Sequence, residues 1–220
     1  MRDIATAITE VRERIAAAAR GAGRDPDAIR LVAATKTVPA EQVAEAVALG
    51  VTDVGENRAQ ELLAKAEALS ATTSSADPSV CWHFLGRLQR NKVRTLAGWV
   101  TWWQSVDRES LGAAIARHAP GAQVLIEVNV ALEPQKGGCA PTDAGPLADT
   151  LRRSGLRVEG LMTIPPAGDD PRPWFAALRE LGGDLGVHEL SMGMTDDYET
   201  AVQEGATMVR IGRAIFGARR

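Results

Sequence analysis

Apolar residues follow two periods that alternate down the chain. Over residues 3–20, Ile4, Ile8, Val11 and Ile15 share one helical face opposite Arg12 and Glu13, which predicts an amphipathic helix ended by Gly21 and Gly23. Residues 29–35, IRLVAAT, form an apolar run of strand length. Pro39 then opens AEQVAEAVAL, whose apolar spacing near 3.6 predicts a helix. The unit recurs, with strands predicted at 51–54, 82–86, 99–106, 123–130, 156–164, 187–192 and 208–212. Helices are predicted between them at 57–69, 90–97, 108–118, 142–154, 172–182 and 196–204. Eight strands about 25 residues apart match minimal parallel βα units, and predict an α/β fold, a (β/α)8 TIM barrel with an extra N-terminal helix. A doubly wound open sheet is the competing architecture, but ATKTVP stands where its glycine-rich turn would follow the first strand. No linker interrupts the rhythm, so residues 1–220 are expected to form one domain. The Ser/Thr-rich stretch at 70–79 reads as a solvated loop.

Composition narrows the field. Hydrophobic residues at 45% and charged residues at 24% describe an ordinary globular chain. A net charge of −3 supplies no basic field for nucleic acid or an anionic membrane. Cys81 and Cys139 match no metal-ligand spacing and read as free thiols, which suits a reducing compartment. The N-terminal stretch lacks the apolar core of a signal peptide, and no segment reaches the roughly 18 apolar residues of a membrane span. The expected location is the cytoplasm.

In a parallel barrel, polar residues at the C-terminal ends of strands converge on one mouth. Lys36, Glu56, Asn57, Asn129, Met162, Thr163, Ser191, Arg210 and Gly212 all fall at or just after such ends. Val32, Ala34 and Lys36 share a face of the first strand, so Lys36 is expected to point inward above small neighbours. A partly buried amine loses its charge more readily and can attack a carbonyl; the plain alternative is pairing with a carboxylate such as Glu127. Ser191 and Gly212 follow strands seven and eight, where barrels often bind phosphate, although Ser191–Gly193 could equally be a tight turn. A lysine for an aldehyde and a cradle for a phosphate point to a phosphorylated carbonyl compound, either a sugar phosphate or pyridoxal 5'-phosphate (PLP).

The motifs LVAATKTVP (31–39), VGENRAQEL (54–62), WHFLGRLQRNK (82–92), EVNVALEPQKGG (127–138), GLMTIPP (160–166) and LSMGMTDDYETAVQEGATMVRIGRAIFG (190–217) cover nearly the whole chain. Together they resemble the pyridoxal phosphate homeostasis protein family, whose members look like the barrel domain of alanine racemase standing alone. The resemblance implies that Lys36 carries PLP as a Schiff base. It also implies that Ser191 and Gly212 hold the phosphate, that Arg210 faces the pyridine nitrogen, and that Asn57 and Met162 line the pocket. Arg213 departs from the small residue usual after RIG, and either adds a phosphate contact or points to solvent.

An arginine at the ring nitrogen donates a hydrogen bond and leaves the ring neutral, a weak sink for carbanions, which disfavours strong catalysis. Glu127 and Arg210 both fall on inward faces of their strands, and Glu127 is expected to orient Arg210. A racemase also needs a second acid–base group, and the lone tyrosine, Tyr198, reads as a helix-surface residue. His83 reads as a hydrogen-bonded core residue. Trp82, Trp99, Trp102 and Trp103 read as packing between strands and helices, and Met192 and Met194 as pocket wall or core. The favoured function is a PLP carrier taking part in PLP homeostasis, monomeric, with PLP-dependent apo-enzymes as recipients. A low-activity amino-acid racemase and an aldolase or isomerase acting on a sugar phosphate are the competing readings.

Overall fold

Asp3 accepts the Thr6 amide at 3.0 Å and so caps helix α1 (Ile4–Gly21). The apolar stripe read from the sequence is the buried one, with Ile4, Ile8, Val11 and Ile15 packed inward. The computed structural model describes residues 3–72 and 80–217. Within them eight parallel strands close in sequence order: β1 (Arg30–Ala34), β2 (Asp53–Glu56), β3 (Cys81–Phe84), β4 (Val100–Val106), β5 (Gln123–Glu127), β6 (Arg157–Met162), β7 (Glu189–Ser191) and β8 (Met208–Ile211). β8 pairs back onto β1, with Val32 opposite Arg210, so the sheet has no edge.

Helices α2 (Ala40–Ala48), α3 (Ala59–Thr72), α5 (Glu109–His118), α6 (Pro141–Arg153), α7 (Arg172–Asp184) and α8 (Tyr198–Gln203) lie on the outside at the predicted positions. The helix expected at 90–97 is a short 3-10 turn followed by a single α-turn, α4 (Val93–Leu96). Only Val93 and Leu96 in that stretch have apolar surface to bury. Past β8, α9 (Arg213–Phe216) adds one more turn. The loop expected at 70–79 is helix as far as Thr72, and residues 73–79 lie outside the described part of the chain. Among the described residues no helix is long and apolar enough to cross a membrane.

The main core fills the space between strands and helices, and a smaller one, Val32, Trp102, Leu125, Met162 and Met208, fills the barrel interior. Trp102 thus corrects the expectation that every tryptophan packs against helices. β4 changes register with both neighbours, so Trp102 turns inward while Trp103 packs outward in the main core. Tyr198 is not a surface residue either: it is 1% exposed, with the guanidinium of Arg14 from α1 5.3 Å above its ring. Helix α1 covers it, and the sequence of α8 alone carries no sign of that cover.

Candidate active site

The C-terminal ends of the strands enclose a cavity of about 880 Å³, lined by Lys36, Asn57, Leu85, Met194, Arg210 and Gly212 among others. Strand β1 stops at Ala34, so Lys36 sits in the turn that follows, closed by the Val38 amide donating to the Thr35 carbonyl at 2.8 Å. Thr37 in that turn has φ +66, a left-handed conformation that costs a β-branched residue on the order of 1–3 kcal/mol. Its amide donates to Glu61 Oε2 at 2.9 Å.

Behind the turn, fully buried Glu56 pairs with the Lys65 ammonium of α3 and accepts the Thr35 hydroxyl at 2.7 Å, while Lys65 also donates to the Thr35 carbonyl at 2.7 Å. Glu56 therefore points away from the mouth and serves to hold the strained turn. The Lys36 amine has no hydrogen-bond or ion-pair partner among the described residues. Pairing with Glu127, the plain alternative, does not occur.

Arg210 crosses the floor of the cavity, 5% exposed. Its Nη1 donates to Ser191 Oγ and its Nη2 to the Thr163 carbonyl, both at 2.8 Å. Burial lowers its pKa to about 10, against the pull of Glu127 and Asp197, so it stays charged at neutral pH. The expectation that Glu127 orients Arg210 is corrected here: the guanidinium donates its hydrogen bonds to Ser191 and Thr163, and Glu127 acts only through its field. Burial and the neighbouring Asp107 raise Glu127 to about 7, partly offset by Arg210 and Arg87.

Two glycines permit the backbone packing beside the cavity. A Cβ on Gly212 would lie 2.7 Å from the Ala34 carbonyl oxygen. One on Gly193, at φ +91, would lie 2.5 Å from the Ala201 Cβ. Arg213 lines the rim of the cavity, where its guanidinium pairs with Asp196.

Of the six predicted binding residues, Lys36, Asn57, Arg210 and Gly212 line the cavity together. Met162 lies in the interior core beneath it, and the Ser191 hydroxyl is engaged with Arg210 and Gln104. Asn129 is occupied elsewhere, its side chain bridging the backbone of Glu133 at 2.8 and 3.0 Å to shape the loop after β5. Met192 is core and Met194 is cavity wall. His83, as expected, is a buried hydrogen-bonded residue.

Sequence reasoning missed Gln104, Asp53 and the Glu56–Lys65 pair. Asp53 opens a short strand and carried a weak signal; Gln104 carried none, because Trp102 two residues before it was read as packing outward. Oxygen, sulfur and nitrogen donors of Asp53, Cys81 and His83 lie within 4.8 Å of one another. They are already engaged, since His83 bonds Asp53 at 2.8 Å and Arg30 stands 3.5 Å from the same carboxylate oxygen.

The closed barrel and its basic mouth define a class: the family model described as alanine racemase, N-terminal domain, matches residues 8–220. A relative from Pseudomonas aeruginosa, named pyridoxal phosphate homeostasis protein, is 45% identical over 229 residues, covering 100% of this chain and 97% of that one. The chain belongs to the pyridoxal phosphate homeostasis protein family. The structure of PipY from Synechococcus elongatus, described as having PLP bound, is 31% identical with TM-score 0.84, covering 98% of this chain and 100% of that chain. Alanine racemase from Corynebacterium glutamicum has TM-score 0.67 at 15% identity, covering 95% of this chain and 61% of that one, a likeness of fold alone.

Proposed function

We propose that this protein binds PLP reversibly in the mouth of the barrel and takes part in intracellular PLP homeostasis, without strong catalytic activity. The observation that carries the reading is the unpartnered Lys36 amine, held in a strained turn at the wall of a cavity with charged Arg210 in its floor. PLP supplies an aldehyde for capture by an amine and a ring that, when protonated, draws off electrons. Lys36 would hold the aldehyde carbon as a Schiff base. Gly212, with the turn beyond Ser191, would leave room for the phosphate, and Asn57, just past β2, would bound the ring, with Met162 as the packed floor below.

Arg210 would donate to the pyridine nitrogen and could not protonate it, because a guanidinium with a pKa of about 10 keeps its proton at neutral pH. That restraint favours a carrier over a racemase, as does the placement of Tyr198 under α1, away from the cavity lining. The relatives' names speak for the same role. The proposal extends to one domain over residues 1–220 working as a cytoplasmic monomer that hands PLP to apo-enzymes.

The test is to load the purified protein with PLP, record its visible spectrum, reduce it with borohydride and locate the pyridoxyl group by peptide mass spectrometry. A yellow protein with the adduct on Lys36, absent in Lys36→Ala, is the expected result. Absence of colour and adduct after added PLP would overturn the reading. Rapid racemisation of free amino acids by the loaded protein would overturn the non-catalytic part.

A further inference from the structure

A hydrogen-bonded chain of buried side chains runs down the barrel interior from the cavity to the N-terminal end. Arg210 Nη1 donates to Ser191 Oγ at 2.8 Å, and Ser191 donates to Gln104 Oε1 at 2.6 Å. Gln104 Nε2 then meets His83 Nδ1 at 2.7 Å, and His83 Nε2 meets Asp53 Oδ1 at 2.8 Å. Ser191, Gln104 and His83 are all fully buried. At the foot, Asp53 and Arg30 line a second cavity of about 710 Å³ at the barrel's other end. Arg30 lies over the Trp102 ring, and His83 stacks on the same ring with planes 6° apart.

The chain has one permitted sense. A guanidinium only donates, so Ser191 Oγ must accept from Arg210 and place its single proton on Gln104 Oε1. That fixes the amide, whose nitrogen faces His83 Nδ1 and, at 3.6 Å, the Met208 sulfur. Nδ1 must then accept, the ring proton sits on Nε2, and only an acceptor such as the Asp53 carboxylate can take it. The electrostatics agree with that assignment. Burial holds His83 below its usual pKa in spite of Asp53, so the ring is neutral. Burial raises Asp53, but hydrogen bonds from His83 and Thr52 together with the positive charge of Arg30 outweigh it, so the carboxylate stays ionised.

We propose that Asp53, remote from the cavity, is a positioning residue for Arg210, acting through His83, Gln104 and Ser191. The inference rests on the PLP reading above in so far as Arg210 faces the cofactor. Replacing Asp53 by a group that cannot accept frees His83 to carry its proton on Nδ1. Gln104 would then turn over and present its nitrogen to Ser191, which loses its acceptor. One of the two anchors of Arg210 becomes slack while its hydrogen bond to Thr163 remains.

The experiment is a PLP titration, followed by absorbance, of the wild type, Asp53→Leu, Asp53→Asn, Ser191→Ala and the double variant Asp53→Leu/Ser191→Ala. The imidazole nitrogens of His83 are observed in parallel by 15N NMR in the cofactor-free proteins. Asp53→Leu should bind PLP about tenfold more weakly with a shifted absorption band, and Asp53→Asn, which keeps an acceptor oxygen, should stay within about threefold. In the Ser191→Ala background the Asp53→Leu effect should vanish, which a merely structural defect would not do.

Wild-type affinity and spectrum in a folded Asp53→Leu, or equal effects in both backgrounds, would overturn the proposal. So would a wild-type His83 protonated at Nδ1, which decides the matter even if Asp53→Leu does not fold. If the wild type takes up no PLP, the functional reading fails by itself. The chain is then judged by whether the His83 proton moves from Nε2 to Nδ1 in Asp53→Leu.

Discussion

Glu127 should make the stability of this protein fall with rising pH, and Glu127→Gln should abolish that fall. Its carboxyl rises from an ordinary 4.5 to about 7, first because it is buried and then because Asp107 stands near, with Arg210 and Arg87 opposing. A raised folded-state pKa means the native protein keeps a proton that the unfolded chain releases. The stabilisation is therefore complete below about pH 4.5 and is lost as pH climbs through about 7. A difference of about 2.5 units at 1.36 kcal/mol each limits the loss to about 3 kcal/mol. Between pH 5 and pH 8 the titration curves of the two states give about 2.5 kcal/mol of that. Glutamine keeps the size and cannot ionise, and all other titrations cancel in the comparison. Urea unfolding of cofactor-free wild type and variant at both pH values measures the difference. Stabilities that run parallel within about 0.5 kcal/mol would refute the reasoning, because the Glu127 proton would then cost nothing to remove.

Two further outcomes follow from the packing around the mouth. Lys65→Met leaves the buried Glu56 carboxylate without its cation, and should cost about 3–5 kcal/mol in urea unfolding; a loss under about 1 kcal/mol would show that the pair does not hold the Lys36 turn. Gly212→Ala drives a Cβ to 2.7 Å from the Ala34 carbonyl oxygen and should part β8 from β1 beside the cavity, weakening PLP binding about tenfold in an absorbance titration; unchanged affinity would mean the backbone there yields freely.

Much of the barrel was legible because it rests on local chemistry. Each strand–helix unit declares itself by a switch from apolar run to 3.6-residue period, and the strand starts fell within a few residues of those observed. The misses have specific causes. Expecting β5 to run to 130 overshot because Asn129 bonds the backbone of Glu133 and turns the chain away. The helix at 90–97 shrank because its polar first half had nothing to bury. Lys36, Arg210 and Gly212 could be placed at the mouth because parallel strands all end on one side. The partners of those residues could not, since Gln104 and Ser191 are 87 positions apart and His83 and Gln104 are 21 apart.

The sequence by itself determined the eight units, their common direction, and the set of polar residues delivered to one end. Tertiary structure alone decided what each of those residues does there. Period-two alternation says which side of a strand a side chain leaves from, but not where the strand stops or where its register slips. Those two details bring Trp102 and Gln104 inside and leave the Lys36 amine without a partner among the described residues. A buried polar group must find its hydrogen bond wherever closure of the barrel puts one. That closure is a property of the whole sheet, which no single segment encodes.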